Sequence, residues 1–217
     1  MNTKTKRLTT SAIMIAIAIS IALICGFMPF LNLPFGGGFT IASMLPIVLI
    51  SYMYGIKWGL LTGLAYSFMQ MLISFNTVQA FFLPNSDNYM GNVFSALAIC
   101  LLDYVLAYTV LGLGGMFRNI IKNKTASIVL GVVLALSLRY IVHIISGYIF
   151  FGAWAEWFFS QDGFYGTFGS AVLNTFTGNG LAWFYSIFYN GLYMLPEIVI
   201  TAIIAVPVSR IPYVSKN

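Results

Sequence analysis

The sequence predicts an all-α membrane protein with six transmembrane helices and both termini on the cytoplasmic side. Three observations predict it. Of 217 residues, 60% are hydrophobic and 7% charged, where a soluble domain of this size carries about 25% charge. The apolar residues gather into six runs, most of them near or above the length of about 20 residues that crosses a bilayer. The few charges are also sorted by side. With the N-terminus placed inside, nine of the ten Lys and Arg fall on the inner side: Lys4, Lys6, Arg7, Lys57, Arg118, Lys122, Lys124, Arg210 and Lys216. The opposite loops hold Asp87, Glu156 and Asp162 and no Lys or Arg. This is the positive-inside pattern. An ordinary soluble enzyme, a disulfide scaffold and a disordered chain are excluded by the same composition.

Residues 9–31 form the first span. Lys4, Lys6 and Arg7 precede an apolar run, and Met28-Pro29-Phe30 is no small-residue cleavage site, so this reads as a retained span rather than a signal peptide. Thr9, Thr10 or Ser11 is its expected cap. Residues 40–56 make a shorter second span containing Pro46, and 57–76 a third. Between them Gly55 is expected to end one helix as the next begins. Residues 91–117, 125–152 and 182–208 complete the set in one membrane domain covering 1–217. Two outer loops are long. Residues 77–90 carry Pro84-Asn85-Ser86-Asp87-Asn88, and 153–181 carry Asp162-Gly163 and Gly178-Asn179-Gly180, all turn-forming compositions. The second is also aromatic and is expected to fold on the membrane surface or over a site. No internal repeat is visible, which weighs against an inverted-repeat secondary transporter.

Cys25 and Cys100 both lie in apolar runs without metal-ligand spacing, so no metal or cofactor is expected. There is no GxxxxGK[ST] motif for ATP, and Gly36-Gly37-Gly38 lies in an outer loop without a following Lys. No catalytic pairing stands out, so the chain is not expected to be an enzyme.

Four ionisable groups fall inside spans: Asp103, Arg139, His143 and Glu197. A charge at the bilayer centre costs about 2.5–3.5 kcal/mol on insertion scales, so each must face protein or a polar cavity. Asp103 is about 18 Å below the outer end of its helix at 1.5 Å per residue. Arg139 and His143, four apart, share a helix face. One reading pairs Arg139 with Asp103 or Glu197 as a structural ion pair. Near the outer ends of the same spans stand Tyr104, Tyr148, Trp154, Trp183, Tyr185, Tyr189 and Asn190. An interfacial belt explains Trp157 and Trp183. It does not explain an Asp, a His and an Asn at neighbouring depths. Aromatic faces with one acid suit a small, flat, cationic or amide-bearing ligand entering from outside. In the first span Ala12 and Ala16, and Ala18 and Ala22, are each four apart. Such spacing lets another helix approach closely, either within the fold or from a partner subunit.

Several segments together resemble the thiamine-specific S-components of energy-coupling factor (ECF) transporters. They are Thr77-Val78-Gln79-Ala80-Phe81, the run Leu101-Leu102-Asp103-Tyr104 through Tyr108, Arg139-Tyr140 with His143, Ser146-Gly147, Trp154, and Trp183-Phe184-Tyr185-Ser186 with Tyr189-Asn190-Gly191. The resemblance implies capture of thiamine at the outer face of the cell membrane. It implies a transmembrane coupling subunit and two cytoplasmic ATPases as partners, the coupling subunit meeting the Ala-x-x-x-Ala face of the first span. It implies ligand contacts at Asp103, Tyr104, His143, Trp154, Tyr185 and Asn190. Three positions depart from the family pattern, one of them Phe35 in a first outer loop without tryptophan, and the 153–181 loop is longer than expected for the family. The acid is Asp103 where Glu is frequent, and Tyr66 stands near the place of a frequent third-span tryptophan. Thiamine, its pyrimidine precursor and a phosphorylated form stay open as ligands. An S-component for another vitamin and a solitary secondary transporter stay open as alternatives.

Overall fold

The computed structural model describes residues 3–33 and 38–215. Phe35, Gly36, Gly37 and Lys216 lie outside the described residues.

Six main helices form among the described residues: α1 (Thr3–Gly26), α2 (Leu45–Tyr54), α3 (Ile56–Ile73), α4 (Val93–Gly115), α5 (Lys124–Phe151) and α6 (Gly178–Ser209). Four of them, α1, α4, α5 and α6, are long and apolar enough to cross a membrane. The second expected span is different. Its helix α2 has 10 residues, about 15 Å at 1.5 Å per residue, half a hydrocarbon core. Residues 38–44 precede it as irregular backbone, with Ala42 at φ +59°. Pro46 sits in the first turn of α2, where its missing N–H costs nothing. Gly55, at φ +90°, both ends α2 and opens α3, as the sequence suggested. Helix α2 is buried on every side except at its last residue.

The expected cap of α1 does not form, because the helix starts at Thr3. The Ser11 hydroxyl instead donates back to the Arg7 carbonyl (2.9 Å) and accepts from the Trp58 indole N–H (2.9 Å). Asn92 caps α4 by accepting from the Ser95 N–H (2.9 Å), and Asn123 caps α5 by accepting from the Ala126 N–H (3.0 Å). Arg118 donates to the Met53 carbonyl at the end of α2 (2.7 Å).

Helix α5 packs along α6, and α3 packs on the second half of α4. That packing is glycine-mediated. A Cβ on Gly112 would overlap the backbone of Gly59 and Leu60, and one on Gly63 would press on the Tyr108 carbonyl. Gly59-Leu60-Leu61-Thr62-Gly63 is thus a small-xxx-small contact within one chain. The Ser51 hydroxyl locks α2 onto the same place, donating to the Gly112 carbonyl and accepting from the Gly115 N–H. Helix α1 lies at the periphery against α2 and α3.

The 153–181 segment is not an open loop. It forms short helices, among them Ala155–Ser160 and Ser170–Thr175. Their phenylalanines close over the N-terminal end of α6: Phe158 meets Tyr185 and Tyr189 with ring centroids 5.3 and 5.6 Å apart, and Phe159 meets Phe184 at 5.7 Å.

Candidate ligand cavity

A cavity of about 760 Å³ opens among α4, α5, α6 and the 77–90 and 153–181 segments. That is within the size range of small-molecule sites, about 300–1,000 Å³. Asp103, Tyr104, His143, Trp154, Tyr185 and Asn190 all line it. Tyr66 does not. It is fully buried, hydrogen-bonded to Gln70, and set edge-on to the lining ring of Tyr108 at 5.3 Å.

Local backbone explains the α4 contribution. Residues Leu101–Leu106 form a π-helical turn, and Val110–Gly115 tighten into 3₁₀ geometry. A π turn spreads more residues per turn than an α-helix and is frequent at functional sites. It lets Asp103, Tyr104 and Tyr108 face one cavity from one helix. Nothing in side-chain periodicity announces such a turn.

The polar floor is a connected chain. Arg139 Nε–H donates to His143 Nε2 (3.1 Å), and its Nη2 donates to the Tyr108 hydroxyl (3.1 Å). A guanidinium can only donate, so His143 Nε2 is an acceptor. Nδ1 then carries the proton of a neutral imidazole and donates to Asp103 Oδ1 (3.1 Å). Arg139 also contacts the Met44 sulfur and lies 4.3 Å from the Tyr108 ring centroid. It reaches neither carboxylate, which corrects the expected ion pair with Asp103 or Glu197. Glu197 is 1% exposed and serves the backbone: its Oε2 accepts from the Thr40 N–H (2.5 Å), and its Oε1 accepts from Thr201 (3.3 Å). Non-helical backbone at membrane depth must find partners inside the protein. Glu197 supplies one for the 38–44 segment, and Cys25 Sγ accepts from Ile41 N–H at 3.4 Å.

Both ring nitrogens of His143 are therefore committed to protein groups. Asn190 is committed too. Its Nδ2 donates to the Ser186 carbonyl (2.8 Å) and the His143 carbonyl (3.2 Å), and its Oδ1 accepts from the Tyr193 hydroxyl (2.5 Å). These two residues order the wall. Asp103 Oδ1 is engaged by His143, and its side chain remains 20% exposed toward the cavity.

The aromatic walls are wider than the sequence reading. Tyr185, Tyr189 and Tyr193, at steps of four, form a ladder on α6, with Tyr185 and Tyr189 stacked at 5.6 Å. That spacing was present in the sequence as a signal. Trp157, expected only as an interfacial residue, lines the cavity and meets Trp154 edge-on at 5.8 Å. Tyr148 and Trp183 stack on each other at 4.1 Å and stay outside the lining. Ser74, Thr77, Asp87 and Asn88 add a polar mouth that sequence reasoning did not assign.

The four alanines of α1 divide. Ala12 and Ala16 are exposed, and Ala22 is half-buried. Ala18 is fully buried in the main core, so no partner helix can reach it.

Residues 11–214 match the family described as thiamine transporter protein (Thia_YuaJ). The chain belongs to this family. A curated relative, thiamine transporter ThiT of Bacillus subtilis (strain 168), is 33% identical over 208 residues, covering 91% of this chain and 87% of its own length. The solved structure of ThiT from Listeria monocytogenes superposes with a TM-score of 0.62 over 98% of both chains at 21% identity, a likeness of fold. Family members are transport proteins and not enzymes, and the long apolar helices agree with a multi-pass membrane location.

Proposed function

We propose that this chain is the high-affinity thiamine-capture subunit of an ECF-type vitamin importer. Thiamine joins two flat rings, an aminopyrimidine and a cationic thiazolium. The observation that carries the reading is the cavity itself, with aromatic walls, the carboxylates of Asp103 and Asp87 and, among the described residues, no lining cation except the buried Arg139. Trp154 and the Tyr185–Tyr189 pair offer faces for ring stacking and for the positive charge. Asp103 accepts from the aminopyrimidine, held in register by the neutral His143. Asn190 and Tyr104 shape the adjoining walls, and Tyr66 acts one layer back through Tyr108.

Six crossings with both termini cytoplasmic remain our topological reading. It is supported by the charge sorting and by α2 and α3 meeting at Gly55 as an apolar pair of helices. The coupling subunit would dock on the Ala12–Ala16 face of α1, which is open, and two ATPases would supply the energy. The chain does no covalent chemistry in this scheme.

The test is a titration of the purified chain with thiamine, followed by tryptophan fluorescence. Trp154 and Trp157 both line the cavity, so saturable quenching at nanomolar thiamine is the expected result. Folded protein that gives neither quenching nor heat with thiamine, yet responds to another vitamin, would move the specificity and keep the fold.

A further inference from the structure

Three formally charged side chains line the cavity: Asp87, Asp103 and Arg139. Arg139 is buried and fixed by His143, Tyr108 and Met44. His143, which accepts from Arg139, is neutral. The inner part of the cavity therefore holds one positive and one negative group and has no net charge. A cationic ligand gains nothing from that balance until it reaches Asp103 itself. The charge that makes the whole cavity anionic is Asp87, at the mouth beside Ser74, Thr77 and Asn88.

Asp87 is exposed, but its backbone is not loose. The Ser86 N–H donates to the Leu83 carbonyl (3.0 Å) and the Tyr89 N–H to the Ser86 carbonyl (3.0 Å). The Asn88 N–H donates to the Ser86 hydroxyl (3.2 Å). The Met90 N–H returns to the Phe81 carbonyl (3.2 Å), and Phe81 is buried in a small cluster with Ala96, Ile99, Cys100 and Tyr104 of α4. The turn is thus anchored to the same helix that carries Asp103. The other charged residues of the outer segments are Glu156 and Asp162, both acidic, so no outer cation neutralises Asp87.

We propose that Asp87 is a charge-selecting residue: it draws the cationic ring of the ligand to the mouth and distinguishes it from an uncharged ring of the same shape. The inference rests on the proposed capture of thiamine. A rim carboxylate acts mainly on the association rate and on its salt dependence. Its reach is about one Debye length, near 10 Å at 0.1 M salt.

The experiment is stopped-flow tryptophan fluorescence on the full chain in detergent, with two ligands. One is thiamine. The other is its isostere with carbon in place of the quaternary nitrogen. For Asp87→Asn the expected result is thiamine association slower by roughly three- to tenfold at low ionic strength. The gap should shrink at high ionic strength, and the uncharged isostere should bind both proteins at one rate. Asp87→Glu, which keeps the charge, should restore the thiamine rate. Equal weakening of both ligands by Asp87→Asn would mean a structural role for the turn and would overturn the proposal, as would an unchanged thiamine rate. Wild-type protein that binds neither ligand would instead refute the capture of thiamine, and this inference with it.

Discussion

At the scale of single residues, the site is governed by which polar atoms are already spent. The sequence placed Asp103, His143 and Asn190 at neighbouring depths, and the structure puts all three around one cavity. It could not tell which would meet a ligand. That depends on hydrogen bonds between helices, and they occupy both nitrogens of His143 and both ends of the Asn190 amide. Asp103 is the member of the trio left with an accessible oxygen. Truncating a buried charged partner costs about 2–5 kcal/mol of affinity. Asp103→Ala should weaken thiamine by that amount in calorimetry while the protein stays folded. An affinity within a few fold of wild type would remove Asp103 from the site. His143→Ala should act more weakly on the ligand and more strongly on the fold. It leaves Asp103 Oδ1 and the Arg139 Nε–H without their mutual partner.

At the scale of elements, the features that escaped sequence reasoning are those with irregular backbone. Gly55 and the long apolar runs announced themselves, because a helix break and a 20-residue apolar stretch are local properties. The π turn at Leu101–Leu106 and the irregular 38–44 segment are set by tertiary packing and leave no periodic mark. The 153–181 segment looked like a loop because its glycines are frequent, yet its phenylalanines bury enough surface to order short helices. Glu197 is where element and residue meet. In the sequence it reads as an intramembrane acid, a candidate for ion pairing. In the fold it accepts the Thr40 N–H and the Thr201 hydroxyl. Leaving a buried donor unpaired costs about 1–3 kcal/mol. Glu197→Ala should lower the thermal stability by this order and speed hydrogen exchange in residues 38–44. Glu197→Gln keeps an acceptor oxygen and should lose less. Equal, wild-type exchange in both variants would mean that the segment is held by other contacts, such as Cys25 with Ile41.

At the scale of the whole molecule, the determining property is the separation of charge along the membrane normal. A chain with 10 Lys and Arg against 5 Asp and Glu is not merely basic. In the proposed topology its inner side is cationic and its outer side anionic, and the second property bears on function as much as the first bears on topology. The same asymmetry that orients the helices leaves the mouth of the cavity free of positive side chains. Orientation is therefore the expectation on which an outward-facing capture site depends, and it can be read with three single-cysteine variants. Lys57, Lys122 and Asp162 are exposed. The native Cys25 and Cys100 are buried, so labelling from them should be low. Residues 57 and 122 are separated by α3 and α4, and 122 and 162 by α5 alone. A membrane-impermeant thiol reagent on intact cells should therefore label Asp162→Cys at once, and label Lys57→Cys and Lys122→Cys only after the membrane is opened. Labelling of Lys122→Cys and Asp162→Cys from the same side would mean that α5 does not cross. Reversal of all three would put the cavity mouth in the cytoplasm and make uptake from outside by this route impossible.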